Sequence, residues 1–172
     1  MKKFIFIFCA LIFVSLIAFI FIFNSEPVKF NSVTVEDKFS ISIPEYLSKT
    51  DSIDASALLQ YKNEKEQMFV LVYEITDTAN LSLKDFFKKI SDDFISRIGQ
   101  ATLVKYYPGQ INNRNAFIGN IRGKVNETNA YYRMAVIESD KSFFEIIIGT
   151  NDNNKSQYDE DMNKIIRGFA AH

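Results

Sequence analysis

Ala130-Tyr131-Tyr132-Arg133-Met134-Ala135-Val136-Ile137-Glu138, then Ser139-Asp140-Lys141, then Ser142-Phe143-Phe144-Glu145-Ile146-Ile147-Ile148-Gly149-Thr150 is the stretch on which the fold turns. Two β-branched and aromatic runs separated by three polar residues read as a hairpin. In Ile146-Ile147-Ile148 apolar residues fall on both parities, so both faces of that strand must be covered.

Outward from this hairpin the pattern repeats. Asn126-Glu127-Thr128-Asn129 is a polar turn, preceded by a strand over 115–125. Leu103 to Tyr107 reads as another strand, closed by a Pro108-Gly109 turn. Met68 to Thr76 is apolar on both parities and belongs in the middle of a sheet, paired with a strand over 55–61 across the polar residues 62–66. In Phe39-Ser40-Ile41-Ser42-Ile43-Pro44 the apolar residues alternate with polar ones, the mark of a half-buried strand.

Two helices complete the inventory. Leu83, Phe87, Ile90, Phe94 and Ile98 recur at three- and four-residue steps, predicting a helix over 81–98. Ser82 and Asp85 form its capping box and Gly99 its end. Tyr158, Met162, Ile165, Ile166 and Phe169 give a second stripe over 156–169, with Ser156 and Asp159 as cap, Asp159, Glu160 and Asp161 near the positive end of the macrodipole, and Gly168 as the stop. Seven strands and two helices, joined mostly by hairpin-length turns, predict an α+β domain: a largely antiparallel sheet with a helix on each face.

Ahead of this domain, Met1-Lys2-Lys3 precedes twenty apolar residues, Phe4 to Phe23. As a helix at about 1.5 Å per residue they span about 30 Å, the hydrocarbon thickness of a bilayer. Sixteen of the twenty are Leu, Ile, Phe or Val, and all faces are apolar. A signal-peptide core is shorter and ends in small residues, whereas cutting after Ser25 would put Phe23 at the −3 position. The expectation is an uncleaved anchor over 4–23 with a cytoplasmic basic terminus over 1–3, a linker over 24–35 and the globular domain over 36–172, outside the cytoplasm. The alternative is secretion after signal cleavage. Lipidation at Cys9 does not fit the residues before it, Phe6-Ile7-Phe8.

Beyond residue 24 the chain carries 18 Lys and Arg against 21 Asp and Glu, which argues against a nucleic-acid partner. One Cys and one His are too few for a disulfide framework or the usual zinc set, and no phosphate-cradling glycine spacing occurs. Asp152 to Gln157 starts like a calcium loop but has Gln157 at the glycine position and Asn163 in place of the closing Glu. His172, the last residue, is the one imidazole available to a nucleophile. The expectation is no enzyme activity and no cofactor.

Several strings resemble the PsbP-like family, which takes in the extrinsic photosystem II subunit, bacterial exported or membrane-tethered proteins and a Ran-binding import factor. They are Phe39 to Leu47, Leu81-Ser82-Leu83-Lys84-Asp85-Phe86, Ile111-Asn112-Asn113-Arg114-Asn115-Ala116 and Met162 to Phe169. Where many relatives carry Gly in a turn this chain has Asn113, which tolerates positive φ better than most residues. The resemblance implies an α/β/α sandwich and a non-enzymatic role in stabilising, chaperoning or docking another protein. It assigns no site residue.

The open candidates for a partner surface are therefore the tyrosine pairs and their basic neighbours: Tyr106, Tyr107, Arg114, Tyr131, Tyr132 and Arg133. Adjacent strand residues point to opposite faces, so each pair sends one ring to each side of the sheet. Under two covering layers these rings are core or rim; uncovered, they offer a partner an apolar body with a polar tip. A pocket between sheet and helix holding a small molecule or lipid is the alternative function.

Overall fold

In the computed structural model, which describes residues 27–77, 81–98 and 100–172, the hairpin forms as strands β8 (Thr128–Glu138) and β9 (Phe143–Asn151), with Ala135 opposite Ile146. It sits inside a seven-stranded sheet. On one side β9 pairs with β5 (Met68–Ile75), which continues through β4 (Leu59–Asn63) to the two-residue β3 (Ser48–Lys49). On the other side β8 pairs with β7 (Arg114–Val125), and β6 (Thr102–Ile111) forms the far edge. Every pairing is antiparallel.

The alternation of side chains divides the interior in two. Tyr131, Ala135 and Ile137 of β8 join Phe144, Ile146 and Ile148 of β9 on one face; Tyr132, Met134 and Val136 join Phe143 and Ile147 on the other. The second face is covered by α1 (Leu83–Ile98), whose Phe86 and Phe87 are buried against it. The first is covered by α2 (Lys155–Arg167) together with a small sheet of β1 (Phe30–Val35), β2 (Phe39–Pro44) and β10 (Ala170–Ala171). The α+β reading, with an antiparallel sheet and two helices, stands. The structure adds the small sheet.

Local chemistry explains where the elements begin. Ser82 Oγ accepts the Asp85 backbone N–H at 3.2 Å and donates to the Asp85 carboxylate at 2.6 Å, opening α1 as expected. The second helix starts differently. Asn151 Oδ1 accepts the Asn153 N–H at 3.0 Å and begins a 3₁₀ turn, Asp152–Asn154, that runs straight into α2. Ser156 thus lies inside the helix instead of capping it, and Asp159, Glu160 and Asp161 fall in its second turn, where the macrodipole no longer accounts for them. Gly168 closes α2 with an ordinary negative φ; a side chain there would sit 2.4 Å from Ser42 Oγ.

Three further boundaries are corrected. Residues 30–35, read as linker, form β1, because β2 offers them a partner along its whole length. The strand expected over 55–61 is β4, displaced toward its turn. Pro108-Gly109 is no turn: β6 runs through it to Ile111, since an edge strand has one unpaired side on which a missing N–H costs nothing. The chain reverses at Asn112 and Asn113 instead, with φ of 45° and 65°, a region that Asn tolerates better than most residues. The expected membrane segment, residues 4–23, and the Gly99 cap lie outside the described residues. Among those described, no helix is long and apolar enough to cross a membrane.

Candidate functional site

Buried Gln60, on β4, organises the wall of a sizeable hollow between α1 and the sheet. Its Oε1 accepts the backbone N–H groups of Ile53 and Asp54, both at 3.0 Å, and its Nε2 donates to the Asp54 carbonyl at 2.6 Å. These bonds fold residues 50–57 back over β5. Asp54 is then fixed in turn: Ser56 donates to Oδ1 through its backbone and hydroxyl, at 2.9 and 2.6 Å, and the Tyr73 hydroxyl donates to Oδ2 at 3.1 Å. The Ser56 bonds hold the Asp54 carboxyl below its ordinary range, while burial and the Asp54 contact push the Tyr73 phenol up.

Between this loop, the sheet and the C-terminal half of α1 lies a pocket of about 510 Å³. Phe69, Leu71 and Tyr73 of β5, Tyr132 of β8 and Ile147 of β9 form its floor; Phe94, Arg97 and Ile98 of α1 form a side. Phe94 meets Tyr132 edge-on at 5.1 Å, and Phe69 lies 6.2 Å from the same ring. Phe69 reaches that position because its β9 partner is Gly149: a side-chain carbon there would come within 2.3 Å of the Phe69 ring.

At the floor stands Glu145. It occupies the inward position between Phe143 and Ile147 on the central strand, opposite Tyr73, and is only 8% exposed. Burial pushes its carboxyl up to about 7; the charge of Arg97 works the other way, and no hydrogen bond assists it. A carboxylate among apolar neighbours without donors is an expensive arrangement. The run Phe143-Phe144-Glu145-Ile146 carries the signal, a charge in register with the core residues Phe143 and Ile147, although the surrounding isoleucines mark the strand only as buried.

The expected partner-surface residues are divided by the structure. Tyr131 and Tyr132 lie on opposite faces, as the two-residue period requires, and both are buried, one in each core. Arg133 is 5% exposed and spends its donors inside: Nε on Asn120 at 3.1 Å, Nη1 on the Asp159 carbonyl and Asn163 at 3.0 and 2.9 Å, Nη2 on the Tyr131 hydroxyl and Asp159 carboxylate at 3.0 and 2.9 Å. It ties α2 to the sheet. Tyr46 does the same from the other side, donating to buried Asp161 at 2.9 Å. Arg114 pairs with Asp140 at the rim, away from the tyrosines.

Tyr106 and Tyr107 are 38% exposed, on the edge strand β6, beside Val104 at 55%. Tyr106 stacks on Phe87 at 5.7 Å, and Lys105 sits 5.7 Å above the Tyr107 ring. This strand has no partner on its outer side within the sheet.

Elsewhere, the His172 backbone donates to the Lys38 carbonyl at 2.8 Å, which pins the last residue beside Ser139, Ser142 and Glu74. The Ser142 hydroxyl is committed to Glu74 at 3.1 Å and to Ser139 at 2.8 Å. Asp152 to Asn154, the start of the calcium-like string, is wound into the 3₁₀ turn, and Asp152 pairs with Arg122. Among the described residues no three metal-ligating side chains gather.

No protein-family model and no curated protein matches the sequence. Solved structures do match in shape. Cyanobacterial PsbP (CyanoP) from Synechocystis sp. PCC 6803 superimposes with a TM-score of 0.65 at 12% identity, over 87% of this chain and 96% of that one. The chain has the PsbP-like fold. The Ran-binding protein Mog1p of Saccharomyces cerevisiae shares it, with a TM-score of 0.61 at 10% identity over 84% and 96% of the two chains. So does PA94 of Pseudomonas aeruginosa, described as a putative regulator, at 0.55 and 9% over 83% and 97%. At such identities the likeness is one of fold, and the PsbP-like frame leaves the site to be argued from its own residues.

Proposed function

We propose that the domain is a non-enzymatic binding module for a protein partner, held outside the cytoplasm by residues 4–23 as an uncleaved anchor. The observation that carries this is the outer edge of β6, where Val104, Tyr106 and Tyr107 stand exposed on a ten-residue strand with one unpaired side. Aromatic rings with polar tips are enriched at interface centres, and a free strand edge offers backbone donors and acceptors to a partner. The register slip between Leu103 and Lys105, the Lys105 charge and Pro108 guard that edge against pairing with further copies of itself. One protein of this fold, Mog1p, is described as Ran-binding. The anchor adds local concentration: a tethered domain meets membrane-bound partners at an effective concentration far above its average in the compartment.

Crosslinking in cells followed by capture of the full chain tests this. The wild type recovers a membrane or envelope protein, and Val104→Ser with Tyr107→Ser loses it while the domain stays folded. Retention of the same partner by the double variant, or recovery of the full-length chain from the cytosol, overturns the proposal. The N-terminal residue of the mature protein separates the anchor from a cleaved signal.

A second reading, a carrier for a small molecule, is favoured by the pocket under α1. Its volume of about 510 Å³ falls inside the roughly 300–1,000 Å³ of small-ligand sites, and its lining mixes apolar walls with a few convergent polar groups.

A further inference from the structure

We infer that the pocket beneath α1 binds a small hydrophobic amine, with the ammonium against Glu145 and the apolar body among Phe69, Phe94 and Tyr132. This rests on the carrier reading and names its ligand class. The argument begins with hydrogen-bonding capacity. Glu145 is more than nine-tenths buried on the central strand, lines the pocket, and receives no donor from the described residues. Its carboxylate has roughly four acceptor positions to fill. Of the other polar groups at hand, Asp54 accepts from Ser56 and Tyr73, Tyr73 spends its proton on Asp54, Glu74 holds Lys38 and Ser142, and Arg97 donates from Nε to the Asp93 carbonyl at 3.3 Å.

Charge then selects among ligands. Asp54, Glu74 and Glu145 bring three carboxylates to the walls, Glu74 already paired with Lys38, against the single guanidinium of Arg97, so a carboxylate or phosphate ligand meets net repulsion. A neutral alcohol fills one acceptor but leaves the buried charge uncompensated. An ammonium supplies up to three donors and a full opposite charge. The rings of Phe69, Phe94 and Tyr132 line the rest of the pocket and give the ligand's apolar body its contacts. Burial of Glu145 outweighs the pull of Arg97, leaving its carboxyl at about 7, so the charge of Arg97 alone does not neutralise it.

The proposal predicts a pH signature. The groups facing Glu145 are Tyr73 on β5, Asp54 on the 50–57 loop and Arg97 on α1; across β8 its neighbour is apolar Val136. Tyr73 stays protonated well above neutrality. Ionisation of Glu145 therefore governs amine affinity near neutral pH, which rises about tenfold from pH 6 to pH 8 for a group titrating at about 7.

The test is calorimetric titration of the full chain in lipid nanodiscs, with empty discs as reference, using 2-phenylethylamine, 2-phenylethanol and 3-phenylpropanoate. The expected result is amine binding at least tenfold tighter than the alcohol, no binding of the acid, and loss of the amine preference in Glu145→Gln, which still takes the alcohol. Should that variant not fold, the pH series on the wild type decides alone. Equal affinity for amine and alcohol, a preference that survives Glu145→Gln, or affinity flat between pH 6 and pH 8 overturns the amine assignment and leaves the carrier reading standing. Binding of none of the three removes both.

Discussion

Replacing Glu145 by Gln stabilises the domain, and does so in a pH-dependent way that follows from its position. In the unfolded chain the carboxyl titrates at its ordinary value of 4.5; in the fold burial keeps the proton on until about 7. The raised value means that the folded state binds the proton more tightly. Below pH 4.5 both states are protonated and the penalty is absent. As pH rises from 4.5 to about 7 the unfolded chain ionises first, and stability falls at ~1.4 kcal/mol per pH unit for this group. Above about 7 the loss is complete, at about 3 kcal/mol. Gln has the same shape and no charge to bury. Wild type and Glu145→Gln therefore match near pH 4, diverge through pH 5 and 6, and differ by about 3 kcal/mol at pH 8, with the variant the more stable. Pulse proteolysis across a urea series reads this on the full chain, because cleavage of the unfolded fraction is scored on a gel. With m near 1–3 kcal/mol/M the midpoint moves by about 1–3 M. Arg97→Gln widens the gap, since Arg97 is the cation that eases ionisation of Glu145. A midpoint difference independent of pH, or a variant less stable than wild type at pH 8, refutes the reasoning.

Arg133→Ala leaves the Tyr131 hydroxyl, Asn120 and Asn163 without their donor and loosens α2, at a loss of about 3 kcal/mol; the same urea series measures it. Gly149→Ala drives a methyl group into the Phe69 ring, costing about 1–3 kcal/mol and displacing that ring from the pocket wall, so 2-phenylethanol affinity falls along with stability. Glu127→Gly relieves a glutamate held at φ 66° in the β7–β8 turn and gains about 1 kcal/mol, read as a raised urea midpoint.

Much of the architecture could be read directly because its signals are periodic. The stripe from Leu83 to Ile98 and the alternation in Phe39, Ile41 and Ile43 each specify an element and its buried face without reference to anything distant. The misreadings share a cause: each depended on a neighbour far along the chain. Phe30 to Val35 is half polar and becomes a strand only beside β2. Pro108 is tolerated because β6 is an edge, and edge position is a property of the sheet order, not of the residues near it. The two-residue period correctly separated Tyr131 from Tyr132 and Tyr106 from Tyr107, but burial of the first pair and exposure of the second follows from β8 being interior and β6 terminal. The role of Arg133 cannot be read from its own strand, since its five donors find their acceptors on β7, β8 and α2, up to thirty residues away.

The pocket follows from unequal cover on the two faces of the sheet. Seven strands at about 4.8 Å spacing make a surface roughly 30 Å wide, and one helix with its side chains covers about 10–12 Å of it. On the first face α2 shares the task with the small sheet, and Arg133–Asp159 and Tyr46–Asp161 draw the layers together. On the second face α1 is alone and packs chiefly on β6, β7 and β8, the half of the sheet that includes the exposed edge. The other half, β5 and β9, is left to the 50–57 loop, and a loop held by Gln60 through three hydrogen bonds fills space less completely than a helix stripe of large side chains. An opening at that place is what the element count leaves, and a charged residue on its floor rather than a fifth isoleucine sets this opening apart from a simple packing shortfall. A void meant only to be closed is made cheaper by Leu at position 145; a site that must attract something is not.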